Sequence, residues 1–324
     1  MSETARAFWL ACPGSGEIRT ASVPDPGDGD VVVRTLHSGV SRGTETLVFQ
    51  GRVPQSQWPV MRAPFQEGDF PGPVKYGYLN VGVVEAGVPE LVGRTVFSLF
   101  PHQTRFVVPA SAVTVVPAGV PAARAVLTGT VETAVNAVWD AHPQIGDRIT
   151  VVGGGMVGAS VAAVLAGLPA TDVELIDIDP TRADLAKSLD IRFRQPADAT
   201  VDRDLVIHAS ATEQGLTTAL NILRTEGTVV ELSWFGDKRI SLPLGENFHS
   251  KRLTIRSSQV GGIQPQRHRD YAERLAVALD LLTDPRFDAL ITGHSDFGDL
   301  PAVLPRIADG SLPALCHVID YPVN

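Results

Sequence analysis

Three glycines near the middle of the chain have the spacing of a phosphate-binding turn. They lie in VVGGGMVG, between an apolar strand-like run and a helix-like run of small residues. The first glycine permits a tight turn, the second lets the backbone approach a pyrophosphate, and the third lets the helix pack on the strand. The helix start offers N–H groups and a partial positive charge to the phosphates. The residues predicted to contact a dinucleotide here are Gly153, Gly155, Met156, Val157 and Gly158.

A carboxylate follows the next predicted strand, VELIDID. Asp177 can accept hydrogen bonds from both hydroxyls of an adenosine ribose and would repel a 2′-phosphate, so NAD is favoured over NADP. Ile178 belongs to the same predicted site. Arg182 leaves an NADP site open, because it could turn toward a phosphate instead of stacking near the adenine. The other interpretation is an α/β domain that binds no nucleotide.

A second cluster of reactive side chains lies in GVSRGTETLVFQG. Ser41, Arg42, Thr44 and Glu45 stand in a predicted Gly-broken turn between two apolar runs. Hydroxyl and guanidinium groups can donate hydrogen bonds to an oxygen that gains negative charge. The turn either takes part in chemistry or only changes the direction of the chain.

The elements that position these residues follow two patterns. Up to about residue 118, short runs such as VVVRTL, VGVVEAGV and RFVVPA are separated by Gly, Pro and Asp, which predicts a β-rich domain. After Pro121, strands alternate with helices such as PTRADLAKSLD and TEQGLTTALNILRTEG, which predicts a doubly wound parallel sheet. The final strand, CHVIDYP, is expected to return to the first domain.

Composition restricts the function classes. A chain of 324 residues is long enough for two domains, and a net charge of -9 without a basic run argues against nucleic-acid and anionic-membrane partners. Cys12 and Cys316 lie far apart, which disfavours a disulfide framework. MSETARAFWLACPGSGEIRT has neither the pattern of a signal peptide nor that of an anchor. We therefore expect a cytoplasmic protein that acts on a small molecule.

With these motifs, the whole chain resembles the medium-chain dehydrogenase/reductase superfamily, which contains the zinc alcohol dehydrogenases and their zinc-free relatives. The resemblance rests on GVSRGTE, ETAVNAVWDA, VVGGGMVG and VELIDIDPTR. SGVSRGTETLVFQGRVP and LFPHQTRFVVPA are most similar to the branch that includes bacteriochlorophyllide dehydrogenase. The resemblance implies an α/β fold in which a GroES-like β-rich catalytic domain, residues 1–125 and 261–324, accompanies a Rossmann domain, residues 126–260. It also implies a homodimer.

The ligands of the zinc-using members are replaced in this chain. Those members carry Cys-Gly-Thr-Asp in the first-domain turn and Gly-His-Glu after the proline-rich loop. Here Ser41 or Arg42 falls at the first position and Tyr78 at the second, while the third falls near Gly129, with Glu132 close by. A catalytic zinc needs about three Cys, His or carboxylate ligands. We therefore expect an enzyme without zinc.

The resemblance assigns expected roles to five side chains. Arg42 either stabilises the substrate oxygen or binds the cofactor pyrophosphate, and Thr44 matches a hydroxyl that relays protons. Glu45 is expected to hold Arg42 or another arginine in place. Tyr78 either donates a hydrogen bond or proton to substrate or packs in the cleft with its hydroxyl on a backbone carbonyl. His102 is either a general acid or, as favoured here, an exposed loop histidine.

Other residues are expected around the nicotinamide, at a helix start, at a strand end and in a later backbone segment. They are Thr133, Ala209, Ser210, Val260 and Gly261. His208 and His249 are expected to be structural histidines.

The predicted function is NAD(H)-dependent interconversion of an alcohol and a carbonyl by hydride transfer without catalytic zinc. Trp58, Phe65, Phe100 and Trp234 are candidates for an apolar cleft, which favours a fairly large or hydrophobic substrate. One alternative is an NADPH-dependent quinone or enoyl reductase of the same fold. A second is a nucleotide-binding sensor protein without turnover.

Overall fold

The computed structural model describes residues 4–322, which form two compact units. Unit 1 contains residues 4–129 and 291–322, and unit 2 contains residues 130–290. No helix within residues 4–322 is long and apolar enough to cross a membrane.

Strands and helices alternate differently in the two units. The strands are β1 Thr4–Cys12, β2 Ser15–Ser22, β3 Asp30–Ser41, β4 Glu67–Gly68, β5 Val74–Lys75, β6 Asn80–Gly87, β7 Thr95–Ser98, β8 Arg105–Pro109, β9 Val113–Val115, β10 Arg148–Val152, β11 Asp172–Ile176, β12 Arg192–Arg194, β13 Arg203–His208, β14 Leu223–Glu231, β15 Thr254–Ser257, β16 Ile291–Asp296 and β17 Cys316–Asp320. The helices are α1 Arg42–Phe49, α2 Ala122–Ala125, α3 Thr128–Ala141, α4 Met156–Ala166, α5 Arg182–Ser188, α6 Glu213–Ile222, α7 Tyr271–Leu281 and α8 Leu300–Asp309.

Unit 1 is built on two sheets. One has the strand order β2-β1-β5-β4, and the other has the order β16-β17-β3-β6-β7-β9 with β8 also paired to β3. Inward-facing apolar residues of β3, β6, β7 and β8 form its core, where Phe100 is also buried. The antiparallel pairing of β17 with β3 confirms that the final strand returns to this unit.

Unit 2 contains one sheet of six strands in the order β12-β11-β10-β13-β14-β15, and every neighbouring pair is parallel. The chain starts in the middle of the sheet at β10, runs outward through β11 and β12, and then returns to β13 on the other side. This is the strand order of a dinucleotide-binding sheet, whose ligand site lies where the order reverses, at the carboxyl ends of the strands. The predicted fold class is therefore confirmed.

Two local predictions were wrong. The helix predicted through LRTEG ends at Ile222, because residues from Leu223 onward pair with β13 as part of β14. The Gly-broken turn around Ser41 is instead the start of α1, which begins at Arg42. The Glu45 carboxylate accepts a hydrogen bond from the Ser41 backbone N–H at 2.7 Å, which stabilises this first helical turn.

The units also divide differently from the predicted domains. The predicted second break at residue 261 falls inside unit 2, which continues to Leu290. Residues 261–290 stay with unit 2 because α7 contributes the buried Arg274, which pairs with Glu132 of α3.

Candidate active site

The glycine turn connects β10 to α4 in unit 2. Gly153 has a φ of +111°, and a Cβ added there would lie 2.7 Å from the Ser210 backbone nitrogen. A Cβ on Gly158 would lie 1.9 Å from the Gly153 carbonyl oxygen, so the helix packs on the turn only because this residue is glycine. Beside Gly155, which precedes Met156 and Val157 at the start of α4, a Cβ would meet no heavy atom within 4 Å. The turn therefore leaves open space in front of the helix N-terminus, which fits a pyrophosphate.

Asp177 stands in front of this turn, directly after β11. One carboxylate oxygen accepts from the Gly154 N–H at 2.6 Å and the other from the Asp179 N–H at 2.8 Å. Ile178 is exposed, and the Arg182 side chain lies against Gly154 with its Nε 3.5 Å from the Asp179 carboxylate. The half-buried Asp177 is thus fixed at the glycine turn, as the donor set for a ribose requires.

Two of the residues predicted to surround the nicotinamide lie against the glycine turn. The Ala209 N–H donates to the Val152 carbonyl at 2.8 Å, and the backbone of Ser210 packs on Gly153. Thr133 is half-buried in α3. The structure therefore supports Ala209 and Ser210 as neighbours of the predicted nucleotide site, while the contact of Thr133 with a cofactor stays a prediction.

Val260 and Gly261 are positioned by an arginine that sequence reasoning missed. Arg274 of α7 is buried, and its Nη2 donates to the Val260 carbonyl at 2.6 Å. The Tyr271 hydroxyl donates to the Gly261 carbonyl at 2.8 Å. Their predicted contact with the carboxamide is untested by the structure. An arginine in an otherwise amphipathic helix was the only sequence signal for this anchor.

Glu132, which the resemblance placed near a metal position, is committed to the same arginine. Its carboxylate accepts from Arg274 Nε at 3.0 Å and Nη2 at 2.9 Å. Burial raises the pKa of Glu132 from its ordinary value, and the adjacent guanidinium opposes that shift. A carboxylate held in this way is an ion-pair partner and not a free metal ligand.

Unit 1 contains a buried hydrogen-bonded pair, Glu45 and His102. The Glu45 carboxylate lies 2.9 Å from His102 Nε2, while His102 Nδ1 lies 2.7 Å from Ser38 Oγ. The Ser38 oxygen also lies 2.9 Å from the hydroxyl of Tyr321, which follows β17. Two expectations were therefore wrong. His102 is 1% exposed and not a surface loop histidine, and Glu45 holds His102 and the helix start while Arg42 is exposed.

Tyr78 lies beside this pair. Its hydroxyl donates to Ser41 Oγ at 2.7 Å and also contacts the Thr44 hydroxyl, so the acceptor is a side chain and not the backbone carbonyl considered above. Burial raises the pKa of Tyr78 to about 12, and the negative charge of Glu45 acts in the same direction, against the hydrogen bonds with Ser41 and Thr44. Tyr78 therefore keeps its proton at neutral pH and can act as a hydrogen-bond donor.

The donors at the former metal positions do not fit a zinc ion. Ser41 and Tyr78 are hydrogen-bonded to each other, and both are neutral oxygen donors, whereas zinc in proteins takes thiolate, imidazole and carboxylate ligands. Across residues 4–322, no group of three or more His, Cys, Asp or Glu side chains is arranged to hold a metal ion.

The apolar cleft candidates separate into core and surface residues. Phe100 is stacked on Phe106 at 3.8 Å and belongs to the core of unit 1, so its assignment to the cleft was wrong. Phe65 rests on Phe100 with 38% of its surface exposed. Trp58 in unit 1 and Trp234 in unit 2 are half-buried. The exposed parts of Trp58 and Phe65 are the apolar surface that unit 1 offers to a ligand.

The two histidines expected to be structural differ. His208 at the end of β13 is fully buried and both of its ring nitrogens are hydrogen-bonded, whereas His249 is exposed.

Comparison with known proteins agrees with this architecture. No family model matches the chain. A protein named "Probable D-xylulose reductase A" from Aspergillus clavatus is 27% identical over 51% of this chain and 48% of its own length. A 2-desacetyl-2-hydroxyethyl bacteriochlorophyllide A dehydrogenase from Cereibacter sphaeroides is 32% identical over 26% of this chain and 23% of its own length. The match thus spans about half the length of one curated relative and less of the other.

Among solved structures, an acetophenone reductase from Geotrichum candidum in complex with NAD is similar in fold. The TM-score is 0.78 at 18% identity, and the alignment covers 99% of this chain and 98% of that chain. At this identity the likeness shows the fold alone. Together, these comparisons confirm the predicted superfamily resemblance.

Proposed function

We propose that this chain, which has the fold of the medium-chain dehydrogenase/reductase superfamily and resembles its members in sequence, is an NAD(H)-dependent oxidoreductase that interconverts an alcohol and a carbonyl. The observation that carries the proposal is the glycine turn between β10 and α4, with Asp177 fixed in front of it at the carboxyl ends of the strands. The named relatives, a reductase and a dehydrogenase, support it.

In this proposal, unit 2 holds the dinucleotide. The N–H groups at the start of α4 bind the pyrophosphate, and Asp177 accepts hydrogen bonds from the ribose hydroxyls. The nicotinamide, when bound, donates or accepts the hydride. Two facts support NAD over NADP, although Arg182 lies nearby. The carboxylate would repel a 2′-phosphate, and the guanidinium faces Asp179.

Tyr78 is proposed to replace the metal as the group that stabilises the substrate oxygen. Its phenol stays protonated because its pKa is raised to about 12, so it can donate a hydrogen bond as negative charge develops on that oxygen. Ser41 and Thr44 orient the phenol from one side. The neutral oxygen donors at the former metal positions support a reaction without catalytic zinc.

Arg42 and the apolar surface define the rest of the proposed substrate site. Arg42 is exposed in the first turn of α1, and its two proposed roles make different predictions. Arg42→Ala raises the KM for NAD if the side chain binds pyrophosphate, and lowers kcat if it stabilises the substrate oxygen. The exposed surfaces of Trp58 and Phe65 support a fairly large or hydrophobic substrate.

The test is direct titration of the protein with NADH and with NADPH, followed by a panel of aldehydes, ketones and quinones as oxidants of bound NADH. We expect tighter binding of NADH and turnover with a member of the panel. Asp177→Ala is expected to erase the preference for NADH, while Asp280→Ala, an exposed acid on α7, serves as the matched control. Preference for NADPH would favour the quinone or enoyl reductase, and bound NADH that no oxidant consumes would favour a protein without turnover.

We also propose a homodimer, as the resemblance implies. β15 is an edge strand of the unit 2 sheet and its residues are mostly exposed, which supports pairing with a second copy. Light scattering in solution measures the mass that checks it.

A further inference from the structure

A serine, a histidine and a glutamate are hydrogen-bonded in series at the carboxyl ends of β13 and β14. His208 Nδ1 lies 2.6 Å from the Glu231 carboxylate, and His208 Nε2 lies 2.7 Å from Ser210 Oγ. We call Ser210, His208 and Glu231 the edge trio. A serine activated by a base that a carboxylate orients is recognised by this geometry and not by the order of the residues in the chain.

The partners of the edge trio assign its protons. A carboxylate only accepts, so Glu231 takes the proton on His208 Nδ1 and leaves Nε2 free to accept the Ser210 hydroxyl proton. The second oxygen of Glu231 accepts from the Ser233 N–H at 2.7 Å, which fixes the carboxylate. Ser233 Oγ also lies 3.3 Å from His208 Nδ1. The imidazole is therefore held in the tautomer that a general base needs.

The surroundings of Ser210 leave its hydroxyl room and a fixed direction. A Cβ on Gly215 would lie 2.1 Å from Ser210 Oγ and 2.8 Å from His208 Nε2, so the space for this hydrogen bond exists because residue 215 has no side chain. The Thr212 hydroxyl lies 2.9 Å from Ser210 Oγ and accepts from the Gly215 N–H at 3.0 Å, which leaves its own proton for the serine oxygen.

Burial grades along the edge trio in the order that a nucleophilic site requires. His208 is fully buried, the Glu231 side chain is 13% exposed, and Ser210 is half-buried. The ring of His208 is also covered by Phe235, at 6.2 Å between ring centroids. The base and its carboxylate are thus shielded from water, while the serine faces outward at the end of the sheet.

We propose that Ser210 is an activated nucleophile that accepts the acyl group of small carboxylic esters. Ser210 Oγ attacks the ester carbonyl carbon while its proton passes to His208 Nε2. The ester C–O bond then breaks, and His208 gives that proton to the departing alkoxide. Water, deprotonated by the same nitrogen, hydrolyses the acyl-serine and restores the hydroxyl. The step involves no oxidation or reduction and does not depend on the proposed dehydrogenase function.

The full chain without added nucleotide is treated with a fluorophosphonate probe, which forms a bond from serine Oγ to phosphorus as fluoride leaves. Modified residues are mapped by mass spectrometry, and hydrolysis of p-nitrophenyl acetate is followed in parallel. We expect modification at Ser210, its loss in Ser210→Ala, and a rate at least about 10²-fold lower in His208→Gln, the contribution typical of a general base. Ser188→Ala removes an exposed α5 serine whose hydroxyl donates to the Asp184 carbonyl at 2.9 Å, and it should react like wild type.

The unfolding temperature of each variant is measured so that a folded protein is compared with a folded protein. An unmodified Ser210 in the folded wild-type chain overturns the proposal. So does labelling of Ser210 that proceeds equally fast in folded His208→Gln. Because no nucleotide is added, a failure of the dehydrogenase proposal leaves these outcomes unaffected.

Discussion

Each unit of the molecule contains one serine, histidine and glutamate hydrogen-bonded in series, and the two sets differ in burial and in polarity. In unit 1, Ser38 bonds His102 Nδ1 and Glu45 bonds Nε2; we call these residues the buried trio. In the edge trio of unit 2 the nitrogens are exchanged, with the serine on Nε2 and the carboxylate on Nδ1.

The difference shows that a hydrogen-bonded series does not by itself make a reactive serine. Ser38 is 1% exposed, and its oxygen is also bonded to the Tyr321 hydroxyl, so no substrate reaches it. The buried trio instead joins β3, α1, the loop that carries His102 and the residue after β17. Ser210 has the same kind of partner but lies at the open end of a sheet. Access, more than residue type, separates a structural series from a reactive one.

The largest expected effect is on stability, when the carboxylate is removed from each trio. Glu45→Ala leaves the Ser41 N–H and the His102 ring without their acceptor inside unit 1, at about 1–3 kcal/mol for each unpaired group. Glu231→Ala should cost less, because water can reach the partly exposed end of β14. Thermal unfolding of both variants measures the difference. Equal losses would show that burial does not distinguish the trios.

The second prediction concerns the phenol beside the buried trio. Tyr78→Phe should lower kcat by about 10²–10³-fold, the typical effect of removing one hydrogen bond to a developing oxyanion. The affinity for NADH should not change, because the residues proposed to bind it belong to unit 2. Steady-state kinetics and NADH titration measure both quantities. An unchanged kcat would remove Tyr78 from the proposed reaction.

A third prediction places a methyl group in the edge trio. Gly215→Ala introduces a Cβ that would lie 2.1 Å from Ser210 Oγ, and overpacking of this kind typically costs about 1–3 kcal/mol. It should therefore abolish the labelling of Ser210. Gly43→Ala in α1 is the matched control, since a Cβ there meets no heavy atom within 4 Å. Labelling that survives in Gly215→Ala would mean that the serine hydroxyl is not confined as described.

The smallest expected effect is a shift in a titration. Tyr78 should ionise near pH 12 instead of its ordinary value near 10, so the folded protein keeps a proton that the unfolded chain loses. Its contribution to stability is therefore complete below pH 10 and is lost as the pH rises from 10 to 12. The difference in phenolate absorbance between wild type and Tyr78→Phe isolates this group. A difference that develops near pH 10 would contradict the burial of Tyr78.

Local signals in the sequence predicted the nucleotide side well. The three glycines and Asp177 depend on neighbours a few residues away or on the next strand, so their arrangement follows from the strand-turn-helix pattern. His208 and Ser210 also had a local signal, because side chains two residues apart at a strand end share a face. Glu231 was missing from that interpretation, since only the parallel pairing of β13 with β14 brings it to His208.

The buried trio had no such signal. Ser38, Glu45 and His102 come from a strand, a helix and a distant loop, and nothing in the spacing of these residues relates them. The same limit applies to the start of α1. Gly43 and its polar neighbours have the composition of a turn, and the hydrogen bond from the Ser41 N–H to Glu45 that favours a helix is visible only in three dimensions.

The pairing of β17 with β3 has a consequence for synthesis on the ribosome. Unit 2 is one continuous segment, so all of its strands are available once residue 290 has emerged. Unit 1 cannot complete its larger sheet until Cys316–Asp320 has been translated, and Ser38 meets Tyr321 only then. The first residues to be made are therefore the last to be enclosed. During translation, the unit that binds nucleotide in our proposal has its complete sheet before the unit that contains Tyr78.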